Sequence, residues 1–294
     1  MQFSAYARAI RAIPREITPA TINATRELLT PLIKPFGSDV AVQRDLRYGG
    51  HERQRLDVFT PASGFQPARP VLIFVHGGGF VAGDKQIPGT PFYDNIGHWA
   101  VRNGYNGINI TYRLAPQHQW PAGIEDLHHV LRFIQENGAQ HGIGAGKVFL
   151  MGQSAGAAHA SSYVAHAQRY APYGHGLRGL ILLSGIYDYT LKPGPMEAAY
   201  LGNDQALYAS RSSVSGLLNS DLPMLVAIAE CDPPYFEEQA LALLGRLQQR
   251  RGRLPRIVHA IGQNHFSLTL YLGLEGDLLG PQLRSFIDEH STSR

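Results

Sequence analysis

The residues with the clearest chemical potential are the five in Gly152-Gln153-Ser154-Ala155-Gly156. The apolar run at 147–151 predicts a buried strand before them, and the alanine-rich residues 155–167 predict a helix after them. A serine on so sharp a turn has unusual backbone angles, and glycines beside it keep Cβ atoms away from the adjoining strand and helix. The helix would direct its N-terminal N–H groups and positive dipole end toward the serine. This pattern predicts a nucleophile at Ser154; a strand-to-helix turn without chemistry is the alternative.

A serine nucleophile needs a general base, and the base needs an acid that fixes its tautomer. After a strand–turn–helix serine, the acid and then the histidine are expected along the chain, each just past the carboxyl end of a strand. Asp232 follows a predicted strand at 224–229, and His265 follows one at 256–261. We predict Asp232 as the acid and His265 as the base; a surface-loop histidine is the alternative for His265. The acids that compete with Asp232 are Glu230, Glu237 and Glu238.

A third feature is the glycine-rich segment His76-Gly77-Gly78-Gly79, which follows a predicted strand at 71–75. Attack on a carbonyl group places negative charge on its oxygen, and backbone N–H groups aimed at that oxygen stabilise it. We predict that the N–H groups of Gly78, Gly79 and Ala155 form this oxyanion hole. A phosphate cradle is the alternative, but neither a G-x-G-x-x-G pattern nor a Walker lysine pattern is present. We expect His76 to brace the loop rather than to carry a proton.

Composition excludes several classes of protein. With 44% hydrophobic and 17% charged residues, the chain of 294 residues can bury a large core and is not disordered. The net charge of +3 is small, and the basic cluster at 250–253 is typical of the solvated end of a helix, so we expect no nucleic-acid partner. The single cysteine, Cys231, excludes an internal disulfide and indicates a reducing compartment. The sequence shows neither an apolar run long enough for a membrane span nor a secretory leader pattern, so we expect a cytoplasmic protein; the alternative is a transit peptide, which the early arginines weakly resemble.

Apolar runs alternate with helical patterns along most of the chain, which is typical of a mostly parallel α/β sheet flanked by helices in one domain, residues 1–294. Residues 40–60 predict two strands joined near Gly49-Gly50. Two segments fall outside this alternation. Residues 1–36 carry two predicted helices that either cover the site as a cap or brace the body. Residues 186–221, rich in tyrosine, glycine and proline, predict a short cap-like insertion, whose tyrosines either line a pocket or pack inside it.

Five motifs occur in the order seen in the α/β-hydrolase superfamily. They are His76-Gly77-Gly78-Gly79-Phe80, Tyr112-Arg113-Leu114-Ala115-Pro116, Pro121-Ala122 with Glu125-Asp126, Gly152-Gln153-Ser154-Ala155-Gly156 and Cys231-Asp232-Pro233. Over residues 40–290 the chain resembles hormone-sensitive-lipase-type carboxylesterases and the related feruloyl-esterase-like and arylformamidase branch. The resemblance implies the α/β-hydrolase fold with a small cap. It implies the same nucleophile, acid, base and oxyanion donors as above, and structural roles for Tyr112, Arg113, Glu125 and Asp126.

The chain also departs from these relatives. Gln153 stands where hormone-sensitive-lipase-type enzymes commonly carry Asp, Pro234 extends the acid motif where Leu is usual, and the Gly79-Phe80 pair differs from that of the formamidases. These departures leave the branch and the substrate open.

The resemblance implies a serine hydrolase that cleaves carboxylic esters of small to medium acyl or aryl substrates through an acyl-enzyme. It implies no metal and no organic cofactor. We expect a small-molecule ester as the partner, no nucleic acid and no membrane span, and association of the chain with a second copy stays open. The alternatives are an arylformamidase or amidase on the same three residues and, less favoured, a non-catalytic receptor of the same fold.

Overall fold

The computed structural model describes residues 3–64, 66–170 and 176–292. Within these residues, eight strands form one sheet in the order β1-β2-β4-β3-β5-β6-β7-β8. The strands are β1 (Val40–Arg47), β2 (Arg55–Pro61), β3 (Val71–Val75), β4 (Asn106–Ile110), β5 (Val148–Gln153), β6 (Leu177–Leu183), β7 (Met224–Cys231) and β8 (Arg256–Asn264). β2 pairs antiparallel with β1 and with β4, and the other neighbouring pairs are parallel. This mostly parallel sheet with flanking helices confirms the predicted fold class.

The α-helices of the described residues connect the strands and cover the sheet. They are α1 (Phe3–Arg11), α2 (Pro19–Leu29), α3 (Asp94–Arg102), α4 (Ala122–Asn137), α5 (Ala155–Ala165), α6 (Ala167–Tyr170), α7 (Pro195–Leu201), α8 (Tyr208–Arg211), α9 (Val214–Leu218), α10 (Pro234–Arg251), α11 (Ser267–Leu270) and α12 (Leu279–Ser291). None of these described helices combines the length and the apolar character that a membrane crossing requires.

Both faces of the sheet are buried, which explains why its central strands are continuous apolar runs. On one face, strand residues such as Ile73 and Leu150 pack against helices α4, α5 and α10. On the other face, residues such as Phe74 and Met151 pack against α3 and α12. The carboxyl ends of β3 and of β5 to β8 therefore meet at one edge of a rigid sheet, where loops can present functional side chains.

The two strands that precede the predicted acid and base run further than the sequence indicated. β7 continues to Cys231, and β8 continues to Asn264. The pairing of β7 with β8 shifts register after Ala229 and resumes where Cys231 lies opposite Asn264. Gly262, at φ 73°, sits in this irregularity of β8. As a result Asp232 and His265 each come directly after the last residue of a strand.

The N-terminal segment lies at the β8 edge of the sheet. Helix α1 packs against β8, and α2 packs against α11. Tyr6 of α1 is fully buried, and its ring stacks on Tyr271 with 4.3 Å between the ring centroids. Helix α2 begins at Pro19, and Thr18 is its N-cap residue, whose hydroxyl accepts a hydrogen bond from the N–H of Thr21.

The insertion at 186–221 contains helices α7, α8 and α9 and lies over the start of α5. Tyr200 of α7 stacks on Phe80 of the glycine-rich loop, with parallel rings 4.6 Å apart. Phe80, Tyr189, Tyr200 and Tyr208 belong to one buried cluster with Ala155 and Ala158 of α5. The tyrosines of the insertion thus pack inside it and fix it on the loop, in place of lining an open pocket.

Candidate active site

Ser154 occupies a tight turn between β5 and α5, as its neighbours predicted. Its backbone angles are φ 56° and ψ −123°, and it is 6% exposed. A Cβ atom on Gly152 would lie 2.2 Å from the carbonyl oxygen of Gly156, and one on Gly156 would lie 2.1 Å from that of Val75. Any larger residue at either position would force the turn open. Both glycines are therefore required by the close approach of backbone segments.

Asp232 and His265 form a buried hydrogen-bonded pair. Oδ1 of Asp232 lies 2.8 Å from Nδ1 of His265, and the two side chains are almost completely buried. The other carboxylate oxygen, Oδ2, accepts hydrogen bonds from the Ser184 hydroxyl at 2.6 Å and from the N–H of Ala229 at 2.8 Å. Three donors thus fix the carboxylate, and the carboxylate fixes the tautomer in which Nε2 of His265 is free to accept a proton.

The residue before the serine bonds to the histidine and so connects it to the turn between β5 and α5, here called the elbow. Nε2 of Gln153 donates a hydrogen bond of 3.0 Å to the carbonyl oxygen of His265. The His265 ring also packs against Phe236 of α10, with 4.2 Å between the ring centroids. The structure therefore brings the three predicted residues to the same edge of the sheet, with Ser154 after β5, Asp232 after β7 and His265 after β8.

The predicted acid is distinguished from its competitors by its contacts. Each of the three glutamates is engaged by a cation at the surface: Glu230 by Arg11, Glu237 by Arg15 and Glu238 by Lys192. Asp232 alone among the four carboxylates bonds to His265 in the described part of the chain. The glutamates are thus paired with surface cations, whereas Asp232 is buried and bonds to the histidine, which favours Asp232 as the acid.

The glycine-rich loop runs along the elbow. A Cβ atom on Gly77 would lie 3.1 Å from Cβ of Ser154. Gly78 has φ 129° and Gly79 has φ 59°, both in the region that favours glycine. Within the described residues, no hydrogen bond has the N–H of Gly78, Gly79 or Ala155 as its donor. These three N–H groups therefore have no acceptor among the described residues, and their role as the oxyanion hole stays a prediction.

His76 has the surroundings of a structural residue. It is fully buried, its Nδ1 donates to the carbonyl oxygen of Gly77 at 2.6 Å, and its ring stacks on Tyr112. The Tyr112 hydroxyl donates to the carbonyl oxygen of His76 at 2.9 Å. Burial lowers the pKa of His76 to about 3, so that its ring is neutral near pH 7. These contacts support the brace predicted for it.

The residues with implied structural roles form one ionic network behind the glycine-rich loop. Arg113 binds Asp126 through its backbone N–H at 2.7 Å and through Nε at 2.8 Å, and it contacts Glu125 at 2.9 Å. Asp126 is fully buried and also accepts from Gln54. The network joins the segment after β4 to α4, and none of these bonds reaches Ser154.

Sequence reasoning missed Ser184 and the contact made by Gln153. Ser184 directly follows β6, which lies between β5 and β7 in the sheet. The signal that identified the acid and the histidine, a polar residue at the carboxyl end of a predicted strand, applies equally to Ser184. With the glycine-rich loop after β3, five strands of the sheet supply residues to this site.

Comparisons with known proteins agree with this architecture. A family model described as BD-FAE matches residues 56–172, which hold the glycine-rich loop and the elbow but not Asp232 or His265. The chain is 39% identical to Esterase LipI of Mycobacterium tuberculosis over 92 residues, which make up 31% of this chain and 27% of that protein. It is 28% identical to a kynurenine formamidase of Danio rerio over 205 residues, or 67% of this chain and 65% of that protein. The esterase match thus spans only about a quarter of that relative.

Among solved structures, esterase B from Lactobacillus rhamnosis superposes with a TM-score of 0.75 and 22% sequence identity. The superposition covers 99% of this chain and 97% of that chain. Structural similarity at 22% identity is evidence for the fold alone. It confirms the α/β-hydrolase fold that the five sequence motifs predicted.

Proposed function

We propose that this protein of the α/β-hydrolase fold is a serine hydrolase that cleaves carboxylic esters through an acyl-enzyme. The observation that carries the proposal is the buried hydrogen bond between Asp232 and His265. It lies at the sheet edge where Ser154 occupies a strained turn, and Gln153, the residue before Ser154, bonds to the backbone of His265. A buried acid–histidine pair next to such a serine is the arrangement that makes a hydroxyl group nucleophilic.

The proposed reaction uses each side chain in one role. Nε2 of His265 takes the proton of the Ser154 hydroxyl as Oγ attacks the ester carbonyl carbon, and Asp232 stabilises the imidazolium that forms. The protonated histidine then gives its proton to the departing alcohol as the carbon–oxygen bond breaks. Water, activated by the same histidine, attacks the acyl-enzyme and releases the carboxylic acid, which regenerates Ser154.

We assign the oxyanion to the N–H groups of Gly78, Gly79 and Ala155. The unused N–H groups and the start of α5 beside Ser154 support this assignment, because preorganised donors in a site with little water stabilise the developing charge. Removal of one such donor typically lowers turnover by about 10² to 10³ fold.

We expect small to medium acyl or aryl esters as substrates. Met196 of α7 lies directly over Gly79, where a Cβ atom would come within 2.1 Å of its sulfur. Tyr235 of α10 donates to buried Glu197 of α7 at 3.2 Å, so the insertion is tied down on the His265 side as well. A cap held this close to the loop favours compact substrates. Faster cleavage of long-chain than of short-chain 4-nitrophenyl esters would contradict this expectation.

An arylformamidase is the second candidate, because the match to a kynurenine formamidase covers two thirds of this chain. The same three residues would serve it, with His265 delivering its proton to a leaving nitrogen. Rates on a matched aryl acetate and aryl formamide decide between the two. A kcat/KM at least about tenfold higher on the formamide, a difference of about 1.4 kcal/mol, would replace the ester by the formamide as the substrate class.

The proposal is tested by labelling with a small fluorophosphonate, followed by intact mass measurement and peptide mapping. We expect one label per chain at Ser154, none in Ser154→Ala, and much slower labelling in His265→Ala. Folded wild-type protein that binds esters but neither reacts nor turns them over would favour the receptor alternative.

We also propose a cytoplasmic location, which the free, buried Cys231 supports and which cell fractionation tests.

A further inference from the structure

The N-terminal helices contact the same strand ends that carry the acid and the histidine. The Tyr6 hydroxyl of α1 donates to Oε1 of Gln263, at 3.0 Å and in a buried position. Nδ2 of Asn264 donates to the hydroxyl of Thr25 of α2 at 2.8 Å, and both of these residues are buried. Gln263 and Asn264 immediately precede His265, so two hydrogen bonds from the N-terminal segment hold the two residues before the histidine.

Thr25 fixes the orientation of the Asn264 side-chain amide. Its hydroxyl donates to the carbonyl oxygen of Thr21, one turn earlier in α2, at 2.8 Å. The hydroxyl hydrogen is therefore engaged, and the oxygen faces Asn264 as an acceptor. An amide that must donate on this side presents its oxygen on the other side.

The oxygen of the Asn264 amide shapes the turn that carries His265. Oδ1 accepts from the N–H of Phe266 at 3.1 Å and from the N–H of Ser267 at 2.9 Å. The N–H of Asn264 in turn donates to the Ser267 hydroxyl at 2.8 Å. His265 is thus the residue at the centre of a hydrogen-bonded turn whose geometry depends on the amide of Asn264.

The acid is held from the same side. Nε of Arg15, in the connection between α1 and α2, donates to the backbone carbonyl oxygen of Asp232 at 2.7 Å, and the same guanidinium binds Glu237. Arg11 of α1 binds Glu230, which also accepts from the N–H of Gly262 at 2.6 Å. The acid loop and the histidine loop are therefore connected to each other through one N-terminal segment.

We propose that residues 3–29 act as a positioning element of the active site, in which Thr25 sets His265 through Asn264 and Arg15 sets the backbone of Asp232. The inference rests on the proposed function for the roles of Asp232 and His265. It assigns the N-terminal helices to alignment of the acid and the base, in place of either a movable cap or a support remote from the chemistry.

The test compares Thr25→Val, Thr25→Ser and Thr30→Val. Thr30→Val is the matched control, because the Thr30 hydroxyl makes the same type of bond, to the carbonyl oxygen of Arg26 at 2.8 Å, in an exposed position. In Thr25→Val we expect kcat on 4-nitrophenyl acetate to fall by about tenfold with KM unchanged, since small displacements of catalytic groups cost up to about 10²-fold. Thr25→Ser keeps the hydroxyl and should restore most of kcat, and Thr30→Val should match the wild type.

A second pair of variants removes charge from exposed positions, where folding is not at risk. Arg15→Gln should lower kcat, by about threefold, while the exposed Arg8→Gln should leave kcat at the wild-type value. Wild-type kcat in both Thr25→Val and Arg15→Gln would overturn the proposal. So would loss of kcat in Thr25→Ser equal to that in Thr25→Val.

A measurement without substrate separates this inference from the proposed function. In protein with ¹⁵N-labelled histidine, the Nδ1 proton of His265 that bonds to Asp232 gives a low-field NMR signal. We expect this signal to shift or broaden in Thr25→Val and to stay in place in Thr30→Val. If the wild type cleaves no ester but the signal responds as expected, the proposed function fails and the positioning role stands. An unchanged signal in Thr25→Val would contradict the positioning role alone.

Discussion

The hydroxyl of Ser184 donates a 2.6 Å hydrogen bond to the oxygen of Asp232 that His265 does not use. Ser184 is fully buried and follows β6, the strand between those that carry the nucleophile and the acid. The central strand of the three thus supplies one of the two donors that hold this oxygen, and the N–H of Ala229 is the other.

Ser184→Ala should impair both catalysis and stability. The variant leaves Oδ2 of Asp232 with one donor fewer in a buried position, which costs about 1–3 kcal/mol of unfolding free energy. We expect kcat to fall by about tenfold, because Oδ2 then keeps only the N–H of Ala229 as a donor and the carboxylate is held less firmly against His265. Steady-state kinetics and urea denaturation measure the two effects. The control is Ser161→Ala, whose buried hydroxyl bonds, among the described residues, only to the carbonyl oxygen of Ala158 in α5. Equal loss of kcat in both variants would contradict the role of Ser184.

Two variants of Gln153 should separate the loss of its hydrogen bond to the His265 carbonyl oxygen from repulsion of that oxygen. Gln153→Met removes the hydrogen bond to the carbonyl oxygen of His265 at almost constant volume, whereas Gln153→Glu places a negative oxygen against that carbonyl. We therefore expect kcat to fall in the order wild type, Met, Glu at pH 8, with the Glu variant recovering part of its activity at lower pH as the carboxyl group protonates. A Glu variant as active as the wild type at pH 8 would show that this bond does not position the histidine.

Replacement of Gly78 by alanine should lower kcat more than replacement of Gly79 does, because the two added Cβ atoms would meet different obstacles. A Cβ atom on Gly78 would meet the backbone oxygen of Ala82 at 2.1 Å, which cannot move without moving the loop. At Gly79 the obstacle is the flexible side chain of Met196, although φ 59° still disfavours alanine. We expect Gly78→Ala to lose at least about 10² fold in kcat.

Gly79→Ala should lose less kcat, and Met196→Ala in the same chain should restore part of it. Measurement of kcat for the two single variants and the double variant checks this. No recovery in the double variant would mean that backbone strain, not Met196, limits Gly79→Ala.

The pattern of residues along the chain predicted the strands and the order of the candidate site, because those signals are local. Val71–Val75 is an apolar run with the same limits in sequence and structure. The predicted end of β8, at residue 261, was wrong by three residues, because the polar Gln263 and Asn264 are typical of a loop. Their side chains are bound by Tyr6 and Thr25, which the sequence places far away.

The docking of the N-terminal helices could not be predicted for the same reason. The two helices themselves were predicted, but the partners of the N-terminal segment are residues more than two hundred positions later. Ser184 was not predicted, because a Ser-Gly pair after a strand is also typical of an ordinary turn. The roles of the nucleophile, acid, base and oxyanion donors stay predictions until the variants are measured.

Two buried histidines should make stability depend on pH. Burial lowers the pKa of His159 and of His76 to about 3 in the folded protein, from an ordinary value of 6.5. Between these values the unfolded chain binds protons that the folded chain does not, so acid destabilises the fold. The free energy of unfolding should fall by about 1.4 kcal/mol per pH unit for each histidine as pH drops from about 6 to 4.

His159→Leu should reduce that slope by about 1.4 kcal/mol per pH unit. In the described structure neither ring nitrogen of His159 has a hydrogen-bond partner, so the variant loses no such bond. Urea denaturation at several pH values measures the slope, with the exposed His259→Leu as the control. An unchanged slope in His159→Leu would mean that His159 does titrate in the folded protein.

The bonds from α1 and α2 to the end of β8 join residues 257 and 239 positions apart. Contacts over such separations form late, because closing long loops costs entropy before the contacts repay it. A refolding chain should therefore recover its helical circular dichroism before it recovers reactivity toward a phosphonate. The strand-to-helix turn can form from neighbouring residues, whereas the alignment of its acid and base waits for the two ends of the chain to meet.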